Sequence, residues 1–296
     1  MDLGKIDINR FLENNSSRHH YIPKVLIKGF TNSDGLLYVY DKTKNKILNN
    51  PLSPKGIFFE WGRNTLVLDE DNHSSVLEDM LYSIIDNDSA GTIKYFQDED
   101  LNKIDFTVSN TGQLLFFLVN LFWRIPYSDF ATKNIINHLK FSGGKIDHEV
   151  LRNDPAFQKI IRAGIFKNIA DELIKCGKKG SSSINIHQVD NKTFHVIGDN
   201  PILFRKTPTQ FTDFGDTDFL IALSSTRIYS STSDTLEKLS PLNSLLYNVA
   251  IINQSVKYIA CSNYDFLEKS VKLYESLQKS TIESLQENIF SQHNFE

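Results

Sequence analysis

Apolar positions along the chain alternate between period-two blocks and blocks spaced by three and four, which sorts it into mixed strands and helices. Leu36 to Asp41, LLYVYD, follows the turn signal Asn32-Ser33-Asp34-Gly35 and precedes the polar stretch Lys42 to Lys46. That pattern predicts a strand, with Lys46 to Leu48 as a short hairpin partner. After Pro51 and Pro54 come an aromatic patch, Ile57 to Trp61, and another strand pattern, Thr65 to Leu68, ahead of the acidic turn Asp69-Glu70-Asp71-Asn72. The N-terminal fifth therefore reads as mostly β.

Helical spacing then takes over. Ser74 or Ser75 caps a segment in which Val76, Met80, Leu81, Ile84 and Ile85 recur at three and four, with Glu78 and Asp79 in the first turn and an end expected near Asn87. Asn110 or Thr111 opens the strongest apolar run, Leu114 to Trp123, which must stop close to Arg124 because Pro126 bars helical angles before it. At ten residues that run is half a membrane span and reads as a buried central helix. Two more helices are predicted, Ser128 to Leu139 and Pro155 to Lys175. Lys175 to Ser183 is rich in Gly, Ser and Lys and reads as a linker. Beyond it, Ile184 to Val189 and Thr193 to Gly198 flank Asp190-Asn191-Lys192 as a hairpin, and Phe219 to Leu223 and Arg227 to Ser230 read as strands. Helical patterns run from Ser240 to Cys261 and from Tyr264 to about Gln286, and the tail after Glu287 is polar enough to fray. The fold class expected is α+β. Small antiparallel β elements lie near the N-terminus and in residues 184–230, packed with several helices. Residues 1–296 are read as one composite domain, with 1–175 and 184–296 as the alternative division.

Composition narrows the function classes. A 40% apolar share with 21 Phe and 11 Tyr belongs to a folded chain. Lys and Arg total 32 against 36 Asp and Glu, so no global basic field holds a polyanion, and any phosphate site must be local. The opening MDLGKIDINRF lacks a signal-peptide layout, and Cys176 and Cys261 are the only two cysteines, so a cytoplasmic protein without membrane association is expected.

Candidate chemistry begins in Arg18 to Lys28, RHHYIPKVLIK, which holds Arg18, His19, His20, Lys24 and Lys28 with no acidic residue. Pro23 suits the first position of a short helix over Pro23 to Lys28, stopped by Gly29. Free N–H groups would then follow the histidines and offer a phosphate pocket, or the segment is simply a turn that anchors the N-terminal arm. Arg124 has two readings, a cation balancing a helix C-terminus or a rigid phosphate ligand. Asp199-Asn200-Pro201 follows a strand, where it aims polar groups out of a sheet end or merely forms a side-chain turn. His187 and His195 would face one another on the expected hairpin, without a third zinc ligand. Cys176, in a basic loop, is at most a reactive thiol.

HHYIPK, an apolar helix ending Gly29-Phe30 and then LLYVYD resemble the opening of domain-of-unknown-function family 4238, found in bacteria. That family also has an acidic helix, an aromatic-rich helix ending in Arg-x-Pro, and a late Asp-Asn-Pro turn. The counterparts here are Glu78 to Asp86, Trp123-Arg124-Ile125-Pro126 and Gly198-Asp199-Asn200-Pro201, so the resemblance runs from about His19 to Cys261. The second acidic position, usually glutamate, is Asp86, and its partner is Glu78 or Asp79. Seven residues return Asp79 to nearly the same helix face as Asp86, whereas eight offset Glu78 by about 80°, so spacing favours Asp79. Such a pair suits a hard divalent cation, Mg²⁺ or Mn²⁺.

Taken together, His19, His20, Arg124, Asp199 and Asn200 are the expected catalytic groups, Arg18, Lys24 and Arg124 the phosphate ligands, and Asp79, Asp86 and Glu78 the metal ligands. That inventory suits a nuclease-like phosphodiesterase, and the kind of bacterial family it resembles implies a toxin or anti-phage setting. The alternative is a non-catalytic module that binds a nucleotide, nucleic acid or phage protein. The C-terminal helices would then mediate homo-oligomer assembly.

Overall fold

The computed structural model describes residues 12–13, 18–67, 69, 72–105, 107–138, 148–177, 185–189, 192–205, 217–231 and 241–290. Its first elements are short. β1 (Leu12–Glu13) and β2 (Arg18–His20) precede α1 (Lys24–Lys28), which starts after Pro23 as its fixed φ favours. Then come β3 (Tyr38–Asp41), β4 (Lys46–Ile47), β5 (Phe59–Trp61), β6 (Leu66–Val67) and β7 (His73–Ser74). β3 and β4 form the expected hairpin, Tyr40 opposite Ile47.

The acidic helix opens with a π-helical turn, Glu78–Tyr82, and continues as α2 (Ser83–Asp98), well past the Asn87 end expected. Buried Ile93 and Phe96 carry its apolar face through that extension. α3 (Val108–Arg124) is the central helix, with Leu114, Phe117, Leu118, Leu121 and Phe122 all buried. Thr107 accepts from the Asn110 amide as its N-cap, and Pro126 ends it where expected. α4 (Tyr127–His138), α5 (His148–Asn153) and α6 (Pro155–Gly177) follow, and α6 packs along α3. The expected linker over residues 178–183 and the side chain of Cys176 lie outside the described residues.

The C-terminal part contains β8 (Asn185–Gln188), β9 (Ile197–Gly198), β10 (Ile202–Phe204), β11 (Phe219–Ala222) and β12 (Arg227–Ser230). α7 (Pro241–Gln254), β13 (Tyr258–Cys261), α8 (Tyr264–Ser276) and α9 (Lys279–Phe290) close it. Two four-stranded antiparallel sheets result, ordered β10-β11-β12-β8 and β4-β3-β13-β9, beside a three-stranded β1-β7-β6 sheet and a β2-β5 pair.

Three sequence expectations fail for identifiable reasons. The hairpin over residues 184–198 does not form, because β8 pairs with β12 and β9 with β13. Instead the Asn248 side chain accepts from the Val196 amide and donates to the Phe194 carbonyl, and the His195 amide donates to Ser225. A buried amide group thus satisfies the backbone that a partner strand would have used. The helix expected through Cys261 stops at Gln254, and Tyr258–Cys261 becomes a central strand between β3 and β9. The last helical pattern breaks at Leu277 into α8 and α9.

Gly29 locks the N-terminal motif to the rest. Its carbonyl accepts from Ser225, and Gln97 donates to the Leu223 carbonyl beside it. A Cβ here would sit 2.6 Å from Gln97 Nε2 and 2.8 Å from the Leu223 oxygen, so only glycine permits this approach. Among the described residues no helix is long and apolar enough to cross a membrane.

Candidate functional site

β2 alternates its side chains, so Arg18 and His20 share one face and His19 takes the other. Pairing with β5 puts Arg18 opposite Trp61, His19 opposite Glu60 and His20 opposite Phe59. The Arg18 guanidinium lies 4.9 Å from the ring centroids of both Phe59 and Trp61. His20 packs 5.8 Å from Phe59, and its Nε2 is 3.2 Å from the Pro54 carbonyl. A carbonyl only accepts, so Nε2 carries the proton and the basic lone pair is on Nδ1. Burial first, then the Lys24 charge, with Arg124 and Arg18 adding, lower the His20 pKa to about 4. The imidazole is therefore neutral at pH 7.

His19 is buried on the opposite face and accepts from the Asn64 backbone N–H through Nδ1 at 2.9 Å. Asn64, fully buried, then links two clusters: its Nδ2 donates to Glu78 at 2.8 Å, and its Oδ1 accepts from Arg162 at 2.9 Å. Arg124, only 1% exposed, donates from Nη1 to both oxygens of Asp86 at 2.7 and 2.9 Å. Its Nη2 lies 3.6 Å from Glu78, and Tyr82 covers the guanidinium at 4.9 Å. Neither sequence reading of Arg124 describes this: the guanidinium is the shared counter-ion of two carboxylates. Burial raises the Asp86 pKa, Arg124 opposes that, and Glu78 adds to the rise.

The partner of Asp86 is Glu78, not Asp79 as the spacing favoured. The reason is the π turn over Glu78–Tyr82, which inserts one residue into the helix. Eight residues across it place side chains much as seven do on an uninterrupted α-helix. Asp79 turns away and accepts from the Ser75 hydroxyl at 2.5 Å. Among the described residues no three His, Cys, Asp or Glu side chains gather. A divalent cation at Glu78 and Asp86 would compete with Arg124 for the same oxygens.

On the far side of Asn64 opens a cleft of about 290 Å³, lined by Trp61, Glu60, Arg63, Asp129, Lys159 and Arg162 among others. Arg63 forks onto Asp129 at 3.0 and 2.9 Å, also holds Glu60 at 2.7 Å, and donates from Nε to the Arg124 carbonyl at 2.8 Å. Arg162 adds a bond to Asp129 at 2.7 Å, and Lys159 donates to the carbonyls of Gly62 and Thr65. Sequence reasoning missed all of these except Trp61's place in an aromatic patch. Gly62-Arg63-Asn64-Thr65 reads as an ordinary polar turn, and the only clue to Arg162 is a cation beside the buried Ala163 and Ile165 of α6.

Asp199 and Asn200 are committed elsewhere. The Asp199 carboxylate accepts from the amides of Val256, Lys257 and Tyr258 at 2.8, 2.6 and 3.2 Å. Burial raises its pKa and those three bonds oppose the rise. The Asn200 carbonyl accepts from Gln254. Lys42 uses all three ammonium protons on the carbonyls of Ile252, Asn253 and Ser255, at the C-terminus of α7. Gly198 is needed because any Cβ would collide with the Ser255 side chain. The Gly-Asp-Asn-Pro turn thus secures the α7-to-β13 corner, and the Asp199 charge helps raise the pKa of Tyr21, after burial, in the N-terminal motif. His187 lies on β8, whereas His195 falls in the irregular stretch before β9 and belongs to no strand. His195 is fully buried against Tyr247, and burial lowers its pKa to about 3. Cys261 is buried with its pKa pushed up to about 12, which leaves no reactive thiolate.

The elements that converge, the paired histidines, the acidic helix and the Arg-x-Pro helix, are those of a family described as "Protein of unknown function (DUF4238)", which matches residues 18–265. The chain belongs to the DUF4238 family. No curated protein and no solved structure matches it. The DUF4238 match covers every residue of the polar network, from Arg18 and His19 through Arg162, as well as the Asp199 corner.

Proposed function

We propose that the protein is a nuclease-like phosphodiesterase whose reacting groups surround Arg124. The observation that carries this reading is the convergence of His19, His20, Glu78, Asp86 and Arg124 from three separated segments. Convergence of polar and titratable groups with shifted pKa values is what a site of chemistry requires. In this reading His20, neutral with its Nδ1 lone pair unprotonated, accepts a proton from the attacking nucleophile. Lys24 and Arg18, both exposed, hold the phosphate. Asp86 and Glu78 keep Arg124 in place, and the guanidinium stabilises charge that develops on the phosphoryl oxygens. Asp199 has no role in the reaction and serves the α7-to-β13 corner.

The second reading is a non-catalytic module that binds nucleotides or nucleic acid. What favours it is that Arg124 already has a bidentate carboxylate partner, an arrangement that also serves a rigid recognition surface.

The test incubates purified protein with labelled RNA, DNA and nucleotides, with and without Mg²⁺ or Mn²⁺, alongside His20→Ala and Lys24→Ala. The reading expects turnover that His20→Ala abolishes while the melting temperature holds within a few degrees. No turnover on any substrate, with binding retained, selects the module instead. A toxin or anti-phage role would show as growth arrest on expression or as phage protection, lost together with turnover in His20→Ala.

A further inference from the structure

We propose that the open face of Trp61, with the cleft beside it, is a stacking site for one unpaired nucleobase of a single-stranded nucleic acid. It rests on the phosphodiesterase reading for the class of substrate. Trp61 is 59% exposed, although Tyr21 and Phe58, beside the same β2-β5 pair, are almost wholly buried. Packing does not account for an indole left in water at this position. Arg18 covers part of the Phe59 and Trp61 rings and leaves more than half of Trp61 open. A flat π surface flanked by a guanidinium is how proteins hold single-stranded bases, and the base must be unpaired to reach it.

The cleft chemistry selects a base edge rather than a phosphate. Arg63 and Arg162, which fork onto the carboxylates, have side chains only 4% and 5% exposed, whereas Glu60 and Asp129 are 45% and 48% exposed. The groups offered to an incoming ligand are thus oriented carboxylate oxygens, which accept from the exocyclic amines and ring N–H groups of bases. Deeper in the wall, the Thr132 hydroxyl and the Arg162 Nε are buried and without a partner among the described residues, so donors stand behind the acceptors. At about 290 Å³ the cleft is at the small end of ligand sites, of a size for one ring system. The strand's phosphates would instead follow the exposed Arg18, which lies over the Trp61 ring, and Lys24, toward His20. That path puts the base in the cleft and the scissile linkage beside the histidines.

The experiment uses the full chain in EDTA, so that binding is read without metal-dependent turnover. Fluorescein-labelled single strands of about 12 nucleotides, in RNA and DNA, are titrated and followed by anisotropy. Trp61 and the buried Trp123 are the two tryptophans, so emission quenching reports on Trp61. The inference expects saturable quenching, weaker binding of the matching duplex, and a loss of roughly 5- to 150-fold in affinity for Trp61→Leu. An unchanged melting temperature in that variant confirms the fold. Equal affinity of Trp61→Leu and wild type, or no strand binding at all, overturns the inference, as does a peptide that occupies Trp61 in place of the strand. Binding through Trp61 without turnover sustains this inference and removes the catalytic reading. Turnover that ignores Trp61→Leu does the reverse.

Discussion

Replacing Arg124 with methionine would leave Asp86 and Glu78 facing one another without a counter-ion. Their side chains are 25% and 19% exposed, and the guanidinium between them 1%. Removing one partner of a buried ion pair costs about 3–5 kcal/mol, because a desolvated charge remains. For a chain of this size that corresponds to a fall of roughly 6–15 °C in melting temperature. The pH dependence has a definite sign. Asp86 already titrates above the ordinary carboxylate value, and losing the opposing Arg124 charge moves it further up. The folded variant then takes up the proton more readily than the unfolded chain, so the deficit is widest near pH 8 and narrows on acidification. Arg124→Met combined with Glu78→Gln and Asp86→Asn leaves no buried charge and should regain most of the lost stability. Differential scanning fluorimetry on the three proteins, wild type, single and triple variant, at pH 8 and pH 5, decides the matter. A single variant within roughly 1 kcal/mol of wild type, the magnitude of an exposed pair, would refute the buried-charge argument. So would a triple variant no better than the single one.

Asp199→Asn removes the charge from three hydrogen bonds to the 256–258 amides and should cost about 1.5–3 kcal/mol in urea denaturation while leaving any turnover intact. Gly29→Ala should cost roughly 1–3 kcal/mol, and pairing it with Gln97→Ala should restore only part, because the Leu223 carbonyl still obstructs the new methyl. His20 has a folded pKa of about 4, below its unfolded value, so the unfolded chain takes the proton first as pH falls. Its contribution of about 3 kcal/mol is present above pH 6.5 and is lost toward pH 4. His20→Asn should therefore flatten that part of the stability profile, and parallel profiles for wild type and variant would contradict the assignment.

Much of this architecture is legible in the sequence where period and punctuation agree. The Tyr38–Asp41 strand, its hairpin partner and the Arg124 stop before Pro126 all follow from local rules. The 184–198 hairpin misleads because Asn248, some fifty residues away, supplies the hydrogen bonds that a turn signal promises to a partner strand. Tyr258–Cys261 looks helical as the continuation of a periodic run, yet it becomes a strand because β3 and β9 flank it. The acidic pair was visible as residue types. Spacing points to Asp79 rather than Glu78 because a π turn leaves no mark in the apolar pattern. Arg63, Asn64, Asp129 and Arg162 were invisible because their importance lies in contacts 33 to 99 residues apart along the chain.

Asn64 also sets how the molecule can open. Its amide proton is held by His19, its side chain by Glu78 and Arg162, and through these it ties β2, the acidic helix and α6 to one point. Hydrogen exchange at this one amide requires the β2 segment to part from Asn64, while the bonds to Glu78 and Arg162 keep the Asn64 side chain from following it. The wall of the cleft and the surroundings of Arg124 thus share Asn64 as a common anchor, and a ligand that tightens either one should slow exchange at the Asn64 amide.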